Sequence, residues 1–102
     1  MWTQQEAIQL ARKVEEVCPA CGCHVALTGG TLYKDGPRKD CDLLFYRIRQ
    51  EPHIREHELS MALRRIGIVI GDTYGWVTKA TYEGKSVDLF FPDRDDSEGY
   101  GL

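Results

Sequence analysis

Three carboxylates lie inside two segments that otherwise read as buried strands. The first segment is Asp40-Cys41-Asp42-Leu43-Leu44-Phe45-Tyr46 and the second is Ser86-Val87-Asp88-Leu89-Phe90-Phe91. Residues two apart in a strand share a face, so Asp40 and Asp42 project together while Leu43 and Phe45 point the other way. Two carboxylates on one face repel unless a cation lies between them. A third, Asp88, supplied by a neighbouring strand, would complete an oxygen-rich site suited to Mg²⁺. The plainer alternative puts Asp40 at a turn and Asp42 on a solvated sheet face. The apolar residues around Asp42 and Asp88 weigh against it, because isolated charges are rarely placed among buried side chains.

Upstream of the acids stands Thr28-Gly29-Gly30-Thr31. Two glycines let the backbone approach a phosphate closely, with amides as donors, although a strand-ending turn would use the same residues. In order along the chain, Gly29-Gly30, Asp40-x-Asp42 and Asp88 resemble the motif set of the nucleotidyltransferase superfamily that includes DNA polymerase β. The resemblance covers residues 23 to 91 and is nearest to the short, single-domain members. It implies a nucleotidyltransferase-like fold. Gly29, Gly30 and Thr31 would hold nucleotide phosphates, and Lys34, Arg38 and Lys39 would contact the β- and γ-phosphates. Asp40, Asp42 and Asp88 would bind Mg²⁺ or Mn²⁺, with Asp88 also helping to activate an attacking hydroxyl. The implied reaction transfers a nucleoside monophosphate from an NTP to a hydroxyl of a protein, an RNA or a small molecule. Small members of the superfamily often work with a protein partner, including as antitoxins that modify a helical toxin.

Two other functions are compatible with the residues. One is a non-catalytic binding or inhibitory module on the same fold, such as a phage or mobile-element protein acting on a host complex. The other is a zinc-binding interaction module built on Cys18, Cys21 and Cys23, since thiolates suit Zn²⁺. Buried thiols at a helix-ending turn explain that spacing more simply. A second ligand pair is missing apart from Cys41, and the adjacent Cys23 and His24 would point to opposite sides of a strand. His53 and His57, four apart, read as solvent-facing helix residues. Tyr33, Tyr74 and Trp76 could stack on a base, although single aromatics more often pack on a sheet.

The net charge of −3 argues against avid non-specific nucleic-acid binding, which relies on many Lys and Arg contacts to phosphates. Nucleic acid is therefore expected only as an acceptor. No apolar run approaches the length of a membrane span. The N-terminus lacks the basic-then-apolar form of a signal peptide, so a cytoplasmic location and reduced cysteines are expected.

Thr3-Gln4-Gln5-Glu6 has the form of a helix capping box, and Ala7, Leu10, Ala11, Val14 and Val17 follow at helical spacing. Pro19 and Gly22 end that helix. Strands are predicted at 23 to 28 and 40 to 48, with a loop at Lys34-Asp35-Gly36-Pro37 between them. Leu59, Ala62, Leu63 and Ile66 mark a second helix, closed by Gly67. Ile68-Val69-Ile70 is a short strand. Two more, about 76 to 82 and 85 to 91, flank a hairpin turn at Glu83-Gly84. The expected architecture is one α+β domain over residues 1 to 92, a small mixed β-sheet with helices packed on one face. Residues 93 to 102 read as a flexible acidic tail.

Overall fold

Thr3 fixes the start of the first helix. Its Oγ1 accepts from the Glu6 amide at 3.1 Å, and the Glu6 carboxylate accepts from the Thr3 amide at 2.9 Å. This reciprocal pair satisfies two donors that a helix start otherwise leaves unmet. In the computed structural model, which describes residues 1–29 and 38–94, helix α1 spans Gln4–Val17 and buries Ala7, Leu10 and Val14. Pro19 opens a single 3₁₀ turn, Pro19–Cys21, which hands the chain to strand β1, Cys23–Thr28. Strand β2 is Asp40–Arg47 and helix α2 is Glu56–Arg65. Acidic Glu56 and Glu58 open α2 and basic Arg64 and Arg65 close it, which matches the helix dipole at both ends. Strands β3, Ile68–Tyr74, β4, Val77–Tyr82, and β5, Lys85–Phe90, complete the domain.

The five strands form one mixed sheet in the order β1-β2-β5-β4-β3. Only β2 and β5 run parallel; the other three pairings are antiparallel. Alternation decides what each face carries. Cys41, Leu43 and Phe45 of β2, Val87 and Leu89 of β5 and Ala80 of β4 join Leu10, Val14, Leu59 and Leu63 in one core. Both helices therefore lie on that face, as the sequence pattern predicts. No helix is long and apolar enough to cross a membrane among the described residues.

The β4–β5 hairpin turns on Glu83 and Gly84, both with positive φ, 52° and 79°. Such a two-residue turn follows the natural twist of a hairpin, and Gly84 enters the left-handed region without steric cost. The turn sets the register in which Tyr82 faces Lys85 and Lys79 faces Asp88.

Three features depart from the sequence reading. Strand β3 continues to Tyr74 beyond the expected Ile70, after a register shift between Ile70 and Thr73. The polar run Gly71-Asp72-Thr73 gives no alternation to reveal it. Trp2 is 1% exposed; its indole donates to the Ser86 carbonyl at 2.6 Å, and its backbone bridges to Arg38. A long-range contact of this kind leaves no local sign. The expected flexible tail begins too early, because Asp93 and Arg94 are held. Asp93 accepts from the Arg47 amide at 3.4 Å. Arg94 bonds Glu56 at 2.7 Å and the Gly75 carbonyl at 2.6 Å, and it stacks on Phe91. The rest of that segment, 95–102, lies outside the described residues.

Candidate functional site

On the sheet face opposite the helices, four adjacent strands each contribute one polar side chain to a single row. Thr28 on β1 pairs with Asp42 on β2, Asp42 with Asp88 on β5, and Asp88 with Lys79 on β4. Partners in register point to the same face, and neighbouring strands lie about 4.8 Å apart. Asp42 and Asp88 are thus immediate neighbours. Asp40, two residues before Asp42 and paired with Ser86, joins them on that face. Leu44, Phe90 and Val77 form the next row, so an apolar strip borders the acids.

The electrostatics follow from this crowding. Burial raises the Asp42 pKa above the ordinary carboxylate value, and the neighbouring Asp88 and Asp40 raise it further. Lys79 and Arg38 act in the opposite sense. Asp88 is 8% exposed and accepts from Lys79 Nζ at 3.0 Å. The same contact raises the Lys79 pKa and holds the amine charged. Behind the acids, Cys41 faces the core, and burial pushes its thiol up to about 12.

Gly29 follows β1 with φ of 74°. A Cβ built there would overlap the Asp42 carboxylate and lie 3.0 Å from its Cγ. The glycine therefore gives the Asp42 side chain its space, a contact between the two halves of the expected motif.

Among the described residues, no three His, Cys, Asp or Glu side chains form a group able to hold a metal ion. The three acids share one face, but Asp88 spends its charge on Lys79. The donors are nevertheless hard, anionic oxygens, the chemistry that Mg²⁺ and Mn²⁺ require.

Of the residues expected to bind nucleotide, Gly29, Arg38 and Lys39 are described. Arg38 exchanges two backbone hydrogen bonds with Trp2, which fixes the chain just before Asp40. Lys39 is exposed. Gly30, Thr31, Lys34 and the aromatic Tyr33 lie outside the described residues. Tyr74 and Trp76 are 62% and 51% exposed, and His53 and His57 are exposed as well.

The cysteines do not assemble as the zinc alternative requires. Cys18, Cys21 and Cys23 are all buried free thiols, and none belongs to a metal-holding group. Cys23 donates its thiol to the Cys18 carbonyl at 3.6 Å. Hydrogen bonding with Cys23 and burial raise the Cys18 pKa, and burial raises that of Cys21. A raised pKa disfavours the thiolate that zinc would need. His24 pairs instead with Glu15 at 2.6 Å.

Sequence reasoning missed Lys79. Its position was readable in principle, because a two-residue turn at Glu83-Gly84 pairs residues whose numbers sum to those of Tyr82 and Lys85. Compared with known protein families, curated proteins and solved structures, the chain matches none.

Proposed function

We propose that the acidic sheet face is the site of a divalent-metal-dependent nucleotidyl transfer, from an NTP to a hydroxyl acceptor. The observation that carries this reading is the register pairing of Asp42 with Asp88, which brings together carboxylates 46 positions apart in the chain on the face opposite the helices. Two supports accompany it. The Asp42 pKa is raised by burial and by its acidic neighbours, the condition that a bound cation would relieve. Gly29 leaves the Asp42 carboxylate room and brings backbone close to it.

In this reading Asp40, Asp42 and Asp88 hold the metal, which when bound would neutralise charge on the transferring phosphoryl group and its leaving oxygen. Gly29 keeps the Asp42 carboxylate on the site side of the sheet. Lys79 supplies a fixed positive charge beside Asp88, placed to favour an anionic substrate. Leu44, Phe90 and Val77 exclude water along one border. The test is incubation with each labelled NTP and Mg²⁺ or Mn²⁺, with and without copurifying proteins. Transfer of label that EDTA abolishes supports the reading; its absence in every combination overturns it.

One observation favours a second reading, a non-catalytic binding or inhibitory module on the same fold. The Lys79–Asp88 ion pair neutralises one acid internally, and a carboxylate already paired has less reason to take a metal. Calorimetric titration with Mg²⁺ and Mn²⁺ separates the two, since this reading expects no saturable heat.

A further inference from the structure

The helix-covered face of the sheet holds a cavity that the acidic site does not use. It measures about 230 Å³ and opens between α2 and the β3–β4–β5 end of the sheet. Leu59, Leu63, Ile70, Leu89 and Phe91 line it. Leu59, Leu63 and Leu89 are each 1% exposed, so the cavity reaches into the core.

One wall is polar. Thr78 lies on the core face of β4 and is 6% exposed. Its Oγ1 lies 3.0 Å from Thr73 Oγ1 and accepts from Arg94 Nη2 at 3.1 Å. Two hydroxyls carry two protons between them, and only one can serve the bond that joins them. Arg94 brings a donor, not an acceptor. The second hydroxyl proton therefore has no acceptor among the described residues, whichever threonine carries it. A buried donor in that condition lowers stability until something accepts from it.

Charge at the cavity is already cancelled. The Arg94 guanidinium makes two bonds to Glu56, at 2.7 and 3.3 Å, and a third to the Gly75 carbonyl. Its plane rests over the Phe91 ring at 4.7 Å. An ion would gain little there, whereas a neutral acceptor would gain a hydrogen bond and apolar contact. Dry cavities of about 150 Å³ hold a benzene ring, so this one has room for a ring and a short substituent.

We propose that the cavity binds a small neutral carbonyl compound, a ketone, ester or amide with a ring-sized apolar body, whose oxygen accepts the uncommitted proton of the Thr73–Thr78 hydroxyl pair. The site lies across the sheet from Asp42 and Asp88 and is independent of any nucleotide chemistry there.

Acetophenone is the probe, and α-methylstyrene, of the same shape without the oxygen, is its control. Both are titrated into the full chain while the methyl resonances of Leu59, Leu63 and Leu89 are followed. Acetophenone is expected to saturate at one equivalent, with shifts confined to those methyls, and to do so equally in Asp42→Asn. Thr78→Val should lower the affinity for acetophenone relative to α-methylstyrene by about tenfold, the cost of burying an unmet carbonyl. Ser60→Leu fills the cavity from α2 and should abolish binding of both. Ser60 is half-buried and its hydroxyl serves only the His57 carbonyl of its own helix, at 2.8 Å, so this variant tests the site even if Thr78→Val does not fold. Non-saturating shifts, an unchanged ligand preference in folded Thr78→Val, or undiminished binding in Ser60→Leu would each overturn the proposal.

Discussion

Gly29 and Asp42 are locked together by the absence of a side chain. A Cβ on Gly29 would overlap the Asp42 carboxylate, and the glycine's φ of 74° is one that other residues adopt only at a cost. The turn after β1 and the acid on β2 therefore form one unit, although 12 residues separate them in the sequence.

Gly29→Ala should consequently be among the most damaging single-methyl changes in this domain. The left-handed backbone costs about 1–2 kcal/mol, and displacing the carboxylate adds to it, for a total of roughly 2–4 kcal/mol. Urea denaturation measures the loss. Adding Asp42→Ala should recover the collision component and leave the backbone component, so the two changes will not be additive.

Asp42→Asn should raise the melting temperature slightly at neutral pH, by a few degrees at most. The folded-state pKa is raised, first by burial, then by Asp88 and Asp40, so the ionised carboxylate weakens the fold above that pKa. As the pH falls toward the ordinary value of 3.8, the folded protein takes up the proton first and the penalty disappears. The advantage of the asparagine variant should thus shrink through the acid range. Thermal melts of both proteins from pH 7 to pH 3 check this, and a gap that widens on acidification would contradict the assignment. Under the proposed function, the same variant transfers label only at background level.

The Glu6 carboxylate behaves in the opposite sense. The hydrogen bond from Lys85, at 2.8 Å, and the Thr3 amide hold its pKa down to about 2. Its contribution is complete above the ordinary value of 4.5 and is lost as the pH falls from there toward 2. Glu6→Gln should lower the melting temperature by a few degrees at pH 7 and make progressively less difference below pH 4.5. The cap joins α1 to the Lys85 end of β5, so weaker amide protection should appear at both places in hydrogen exchange.

Arg94→Ala should destabilise the domain by about 2 kcal/mol, because it removes charge-assisted hydrogen bonds to Glu56 and the stacking on Phe91. Arg94→Lys should recover little of that loss. A lysine cannot present the planar fork that reaches Glu56, the Gly75 carbonyl and Thr78 together. Chemical denaturation of the two variants side by side measures the difference.

Local signals carried much of the fold. Thr3 and Glu6 announced the first helix through their own hydrogen bonds, and Glu83-Gly84 announced a hairpin through the φ values that turn demands. The extension of β3 escaped notice because Gly71-Asp72-Thr73 carries neither alternation nor β-branched density, and neighbour β4 supplies its pairing. Trp2 escaped because its value lies in contacts with Ser86 and Tyr82, more than 75 positions away.

The sequence by itself determined that Asp40 and Asp42 share a face, because side-chain alternation is a local property of a strand. It likewise determined the approach of Lys79 to Asp88, since a two-residue turn dictates register. Only the tertiary structure decided that β2 runs parallel to β5 with Asp42 beside Asp88. A parallel pairing is made across a long connection, and its register is set by how Cys41, Leu43, Val87 and Leu89 pack beneath the helices. The burial of Cys18, Cys21 and Cys23 was decided there too: spacing alone is compatible with a metal site, and it is the core closing over the thiols that keeps them protonated and apart from one.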